Sequence, residues 1–141
     1  MVEIYTDGSF SHQSKNGGWA IVVVKDDEVI DKKYGKVKHG SGPNVTSNRM
    51  ELQAIIEALE YTNDDLVILS DSKYCVDGCN LWMKNWKKQH WKRTVNKHVK
   101  NKDLWQRIDS LLRDNVTIKW IKGHNGNKFN ELADSLSQNH Y

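Results

Sequence analysis

SNRMELQAIIEAL, residues 47–59, places apolar side chains at Met50, Leu52, Ala54, Ile55, Ile56, Ala58 and Leu59. That density predicts an amphipathic, largely buried helix running to about Tyr61. Tightly connected strands precede it and one short apolar run follows it, so the helix serves as a crossover that lets a later strand lie parallel to an earlier one. Glu51 is on the wrong side of this helix. At i, i+3, i+4 and i+7 it shares a stripe with Ala54, Ile55 and Ala58, which turns its carboxylate toward the packed face. A buried carboxylate is costly unless something pairs with it. Either Glu51 helps cap the helix from its third or fourth position, or it serves a site completed by the rest of the chain.

Upstream, Val2 to Thr6 reads as a strand ending in Asp7-Gly8-Ser9, where the Asp-Gly pair also fits a simple turn. Ser11 to Gly18 is a polar loop and Trp19 to Val24 a strand rich in β-branched residues. Asp26-Asp27-Glu28 is a turn so short that the next strand, Val29 to Val37, must return antiparallel. Lys38 to Val45, with Gly40, Gly42 and the only proline, Pro43, links it to the helix. Downstream, Asn63-Asp64-Asp65 stops the helix, and Leu66 to Leu69 is the apolar run expected of a strand covered on both faces. Ser70-Asp71 follows, then a helix from Ser72 to about Leu81 for which Asp71 is one candidate N-cap. Beyond the basic segment Trp82 to Lys102 come a helix from Asp103 to Arg113 with Leu104, Ile108, Leu111 and Leu112 as its apolar face, and a strand from Val116 to Ile121. A glycine-rich loop, Lys122 to Asn127, opens a last helix striped by Phe129, Leu132, Ala133 and Leu136, with Asp134 at the border. The order βββαβααβα predicts an α/β fold, a mixed sheet with helices packed on its faces.

With 141 residues, 38% hydrophobic and 28% charged, the chain suits one soluble globular domain spanning 1–141. The start lacks a signal-peptide pattern, and no run approaches the roughly 18 apolar residues of a membrane span, so a cytoplasmic location is expected. Cys75 and Cys79, four apart, fit neither a redox pair nor a four-ligand zinc site and are expected to pack. The net charge of +3 conceals an asymmetry. Lys84 to Lys102 holds seven lysines and one arginine without an acid, leaving thirteen basic against eighteen acidic residues elsewhere, a net of −5. The chain is an acidic body with one basic segment.

If the first and fourth strands are parallel neighbours, Asp7 and Asp71 stand side by side at their C-terminal ends, the edge where α/β sheets form ligand crevices. Glu51 projects inward near the start of the crossover helix and Asp134 from the first turns of the last one, so all four carboxylates can converge. Unpaired, they would repel strongly; divalent cations resolve the conflict. A set of oxygen donors without thiol or imidazole favours Mg2+ or Mn2+, and a pair of such ions suits in-line phosphoryl displacement.

YTDGS at 5–9, NRMEL at 48–52, LSDSKY at 69–74, LWQR at 104–107 and WIKGHNG at 120–126 followed by NELAD together resemble type 1 ribonuclease H, in the same order and with similar spacing over essentially the whole chain. The resemblance implies a ribonuclease H-like fold with a five-stranded mixed sheet of order 3-2-1-4-5 and helices on both faces. It also implies a stand-alone bacterial-type endonuclease that cuts the RNA strand of RNA/DNA hybrids, using two Mg2+ ions (Mn2+ being possible) and leaving 5′-phosphate and 3′-hydroxyl ends. A monomer without an obligate protein partner or membrane association is expected. The family's acidic ligands fall on Asp7, Glu51, Asp71 and Asp134, and its loop histidine on His124, which alone would read as a surface residue.

The basic segment matches the family's basic protrusion, which contacts the DNA strand. Lys87, Lys88, Lys92 and Arg93, interleaved with Trp82, Trp86 and Trp91, would hold phosphates without reading bases. By the same match Asn48 faces the RNA minor groove, Trp82 and Asn101 line the DNA channel, and Thr46 meets a DNA phosphate. Ser47 and Lys73 depart from the asparagine and glutamine common in bacterial members, which implies a weaker hold on the minor groove at Ser47 and an added grip on phosphate at Lys73. The competing readings are a hybrid-binding module without catalysis, which would be expected to have lost an acid, and another nuclease on the same fold.

Overall fold

The computed structural model describes residues 1–42, 44–94, 97–123 and 125–138, with the backbone alone at 93, 94 and 97. Strands β1 (Val2–Phe10), β2 (Gly17–Lys25) and β3 (Glu28–Val37) form an antiparallel meander. Helix α1 (Ser47–Tyr61) crosses over to β4 (Leu66–Ser70), which pairs parallel with β1. Next comes a helical run of α2 (Lys73–Asp77), a π-helical turn (Gly78–Trp82) and α3 (Met83–Lys88). A small antiparallel ribbon, β5 (Lys92–Thr94) with β6 (Lys97–His98), leads to α4 (Lys102–Leu111), β7 (Val116–Trp120) and α5 (Lys128–Gln138). The main sheet runs β3-β2-β1-β4-β7, the expected order with β7 as its fifth strand.

Alternation along the strands feeds two cores. Ile4, Ile21, Val23 and Ile68 pack with the buried faces of α1 and α4, whereas Tyr5, Ala20, Val22 and Leu69 pack with Phe129, Ala133 and Leu136 of α5. Helices therefore cover both sheet faces, as expected. In α4 the dominant buried side chains are Trp105 and Ile108; Leu104, Leu111 and Leu112 are only partly buried. Cys75 and Cys79 join the first core, and burial pushes both thiols up, Cys79 to about 12, which leaves them packing residues rather than nucleophiles. Among the described residues no helix is long and apolar enough to cross a membrane.

Two expectations need correction. The first strand does not stop at Thr6, and Asp7-Gly8 is not a turn: β1 continues to Phe10, with Asp7 opposite Ala20 and Gly8 opposite Trp19. Gly8 is there because α1 sits directly on the strand. A Cβ at this position would lie 2.3 Å from the Glu51 nitrogen, inside any allowed contact. The second helix also does not end near Leu81. Cys75, Cys79 and Met83 keep a four-residue spacing into the core, so the chain stays helical to Lys88, absorbing one widened turn on the way.

Candidate active site

β1 runs four residues past its last pairing with β4, Thr6 opposite Ser70, so a gap opens beside Asp7 at the switch point of the sheet. Carboxylates reach that gap from three directions. Asp7 sits on the strand itself, 4% exposed, and its Oδ1 accepts the Gly8 amide at 2.9 Å. Asp71 follows directly on β4. It is not the cap of α2, because Ser72 accepts the Cys75 amide in that role and the Ser70 hydroxyl accepts from the Ser72 amide. Glu51 descends from the second turn of α1. The cap there is Thr46, whose Oγ1 accepts the Arg49 amide at 3.1 Å, which removes the capping explanation for Glu51.

Asp7, Glu51 and Asp71 each bring an oxygen within 4.8 Å of the others. Asp134, on α5, faces Asp7 from the other side of the sheet, and its charge also raises the Asp7 carboxyl. Its own Oδ1 accepts from Gln138 Nε2 at 2.8 Å. α5 is pinned in place by the Ser9 hydroxyl, which donates to the Ser137 carbonyl at 2.8 Å. Burial first, and then the Asp71 charge, push Asp7 up to about 8. Burial and then the Asp7 charge raise Glu51 well above the carboxylate range. Glu51 Oε1 is buried without a hydrogen-bond partner among the described residues.

Ionising a buried, unpartnered carboxyl in a crowd of acids costs several kcal/mol, roughly the gain from burying two of the leucines or isoleucines beside it. A cation is the partner that removes this cost. The donor set is all oxygen, so the site fits a hard divalent ion.

The loop after β7 closes on the same place. Gly123 lies so near Asp71 that a Cβ there would stand 2.8 Å from Oδ2, and Trp120 Nε1 donates to the Asp71 carbonyl at 3.2 Å. The ammonium of Lys73 sits 5.7 Å from the centre of the exposed Trp120 ring. His124, next in the loop, lies outside the described residues. Asn130 escaped the sequence reading. It is 2% exposed, four residues before Asp134 on the same helix, with Nδ2 unpartnered among the described residues. A polar residue one turn before an expected ligand was its signal.

The basic segment flanks α4. Trp82 is exposed, with its ring 5.9 Å from Tyr74 and 5.8 Å from Trp86. Lys88 and Lys92 are exposed, Lys87 pairs with Asp109 of α4 at 3.2 Å, and the side chain of Arg93 lies outside the described part. Thr46 and Asn48 are exposed at the start of α1. Asn101 is half-buried, and both ends of its amide are engaged within the protein.

Comparison with known proteins bears on this arrangement directly. A family model described as RNase H matches residues 1–141. The ribonuclease H of Alcanivorax borkumensis is 43% identical over 139 residues, covering 96% of this chain and 88% of the relative. The crystal structure of LC9-RNase H1, a type 1 RNase H with the type 2 active-site motif, superposes with a TM-score of 0.72 at 30% identity, covering 96% of this chain and 69% of that one. A foamy viral protease-reverse transcriptase, solved in complex with an RNA/DNA hybrid, shares the fold with a TM-score of 0.80 at 20% identity, over 96% of this chain and 19% of that one. The match over the full sequence, the sheet order and a carboxylate cluster suited to the metal on which these enzymes depend lead to one assignment: this chain belongs to the ribonuclease H family of enzymes.

Proposed function

We propose that the protein, acting as a single-domain monomer, hydrolyses the RNA strand of RNA/DNA hybrids. Water attacks the scissile phosphorus in line and the bond to O3′ breaks, leaving a 5′-phosphate on one fragment and a 3′-hydroxyl on the other. The observation that carries the reading is the buried, unpartnered Glu51 oxygen beside Asp7 and Asp71. Asp7, Glu51, Asp71 and Asp134 would hold two divalent ions, Mg2+ or Mn2+, which when bound would supply activation of the attacking water and stabilisation of the leaving oxygen. The loop carrying His124 starts against Asp71, which suits that residue to relaying protons or helping product leave.

The remaining residues hold the duplex. Lys87, Lys88, Lys92 and Arg93 take phosphates of the DNA strand, Trp82 and Asn101 line its channel, and Thr46 meets one further DNA phosphate. Asn48 faces the RNA minor groove, and Lys73, exposed beside Trp120, adds a phosphate contact. Selectivity then rests on 2′-hydroxyls and duplex shape rather than on base edges.

The test is to offer the purified protein labelled RNA/DNA hybrid, double-stranded RNA and double-stranded DNA with Mg2+ or Mn2+. Cutting confined to the RNA strand of the hybrid is expected, and cutting of duplex DNA alone overturns the reading. Neutralising Lys87, Lys88, Lys92 and Arg93 together is expected to raise KM and to flatten the slope of log KM against log salt by about 2 to 3. An unchanged slope removes the basic segment from the interface.

A further inference from the structure

Asn101 occupies the N-cap position of α4, yet its side chain makes no capping hydrogen bond. Its backbone is left-handed, φ +59°, a conformation that asparagine tolerates better than most side chains. The amide is committed elsewhere. Oδ1 accepts from Arg49 Nη1 at 3.3 Å, and Nδ2 donates to the Tyr74 hydroxyl at 3.2 Å. That hydroxyl also accepts from Trp105 Nε1 at 3.0 Å, deep in the core. The Tyr74 ring in turn supports Trp82.

Arg49 stands two residues before Glu51 on α1. Its side chain is 14% exposed and meets Asp103 in a fork, at 2.7 and 2.9 Å, while the Asp103 side chain is 59% exposed. An ion pair so open on one side contributes little stability by itself. The fork instead fixes the plane of the guanidinium, and thereby aims Nη1 at Asn101. A continuous chain of contacts thus runs from the first turn of α1, through Arg49, Asn101 and Tyr74, to Trp82.

We propose that Arg49 is a positioning residue that, through Asn101 and Tyr74, sets the register between the channel for the DNA strand and the carboxylates that cut the RNA strand. The inference rests on the reading of Trp82 and Asn101 as channel residues. Nucleic acid gripped on one strand is cut on the other at a fixed offset only if grip and blade are rigidly joined, and this chain of hydrogen bonds is a direct link between them. An amide bonded to Arg49 and Tyr74 instead of the helix start is the sign that its position, rather than helix capping, is what the fold maintains.

The experiment uses a hybrid whose labelled strand carries a short ribonucleotide run within DNA, so that each cleaved bond is resolved on a gel. Arg49→Met is expected to raise KM about fivefold and to spread cutting over neighbouring bonds. Tyr74→Phe keeps the ring contacts but removes the hydroxyl, and is expected to spread cutting in the same way. Because both changes release Asn101, the double variant should be no worse than the poorer single one, a coupling that independent structural damage would not produce. Arg49→Lys, which keeps the charge without the fork, should fall between wild type and Arg49→Met, and with Tyr74→Phe it carries the test if Arg49→Met does not fold. Wild-type cleavage positions and KM in both Arg49→Lys and Tyr74→Phe, or additive losses in the double variant, overturn the inference while leaving the nuclease reading intact. Failure of the wild-type protein to cut any hybrid overturns both.

Discussion

Asp71→Asn abolishes metal-dependent cutting of an RNA/DNA hybrid, by at least about 10³-fold in single-turnover rate, while hybrid affinity stays within about threefold. The size of the loss follows from the chemistry of the site. The substitution is nearly isosteric and removes one carboxylate from a cluster whose three oxygens lie within 4.8 Å of one another. Stabilising developing charge on a phosphoryl group in this way is worth several kcal/mol, and each 1.36 kcal/mol is a factor of about ten in rate. The fold has little reason to respond. Ser72, not Asp71, caps α2, and the bond from Trp120 goes to the Asp71 main chain, which asparagine keeps. Affinity is expected to survive because, on the proposed reading, phosphate contacts are spread over the basic segment rather than concentrated at the cut. Filter binding and a gel of labelled hybrid measure the two quantities separately. Full activity in the variant would sink the ligand assignment; loss of binding in step with activity would show that Asp71 holds substrate instead.

Much of this site is legible in the amino-acid sequence. Parallel pairing of the first and fourth strands through a crossover helix puts Asp7 and Asp71 together by topology alone, and the helical period turns Glu51 toward them. What remained illegible depends on distances between elements. Gly8 looks like half of an Asp-Gly turn because local preference cannot register a helix lying 2.3 Å from its missing Cβ. The π-helical turn adds a residue without altering the apolar spacing that predicts a helix, so only its continuation to Met83 was available as a signal. Trp105 was passed over because the stripe through Leu104, Ile108 and Leu111 fits equally well, and only packing against Tyr74 and Trp86 chooses between the two faces. Arg49 and Asn101 are 52 residues apart, and no periodicity connects them.

The carboxylate cluster also makes a prediction about stability in the absence of metal, and its sign can be worked out. Asp7 titrates near 3.8 when unfolded and about 8 when folded, so between those values the native state keeps a proton that the unfolded chain has released. Its stabilising contribution is complete below about pH 3.8 and is lost as the pH rises to about 8. Glu51 shifts the same way, and the groups facing Asp7 from the neighbouring elements, Asp71 and Asp134, are acids that reinforce the effect. Asp31 and Asp103 are shifted in the opposite direction, by Tyr61 and Arg49 respectively, so their contributions disappear only at acid pH and leave this window clear. Metal-free protein is therefore expected to lose on the order of a few kcal/mol between pH 4 and pH 8 through this cluster. Asp7→Asn removes the central charge. In chelator at pH 8 it should melt about 5 to 10 °C above wild type, with the difference shrinking toward pH 4. Adding Mg2+ at pH 8 should raise the wild-type melting temperature and close most of that gap, because a ligand bound only by the folded state stabilises it by mass action while the variant lacks one ligand oxygen. A melting difference independent of pH, or an equal response of both proteins to Mg2+, would mean that the crowded acids are not held together at a cost that a cation relieves.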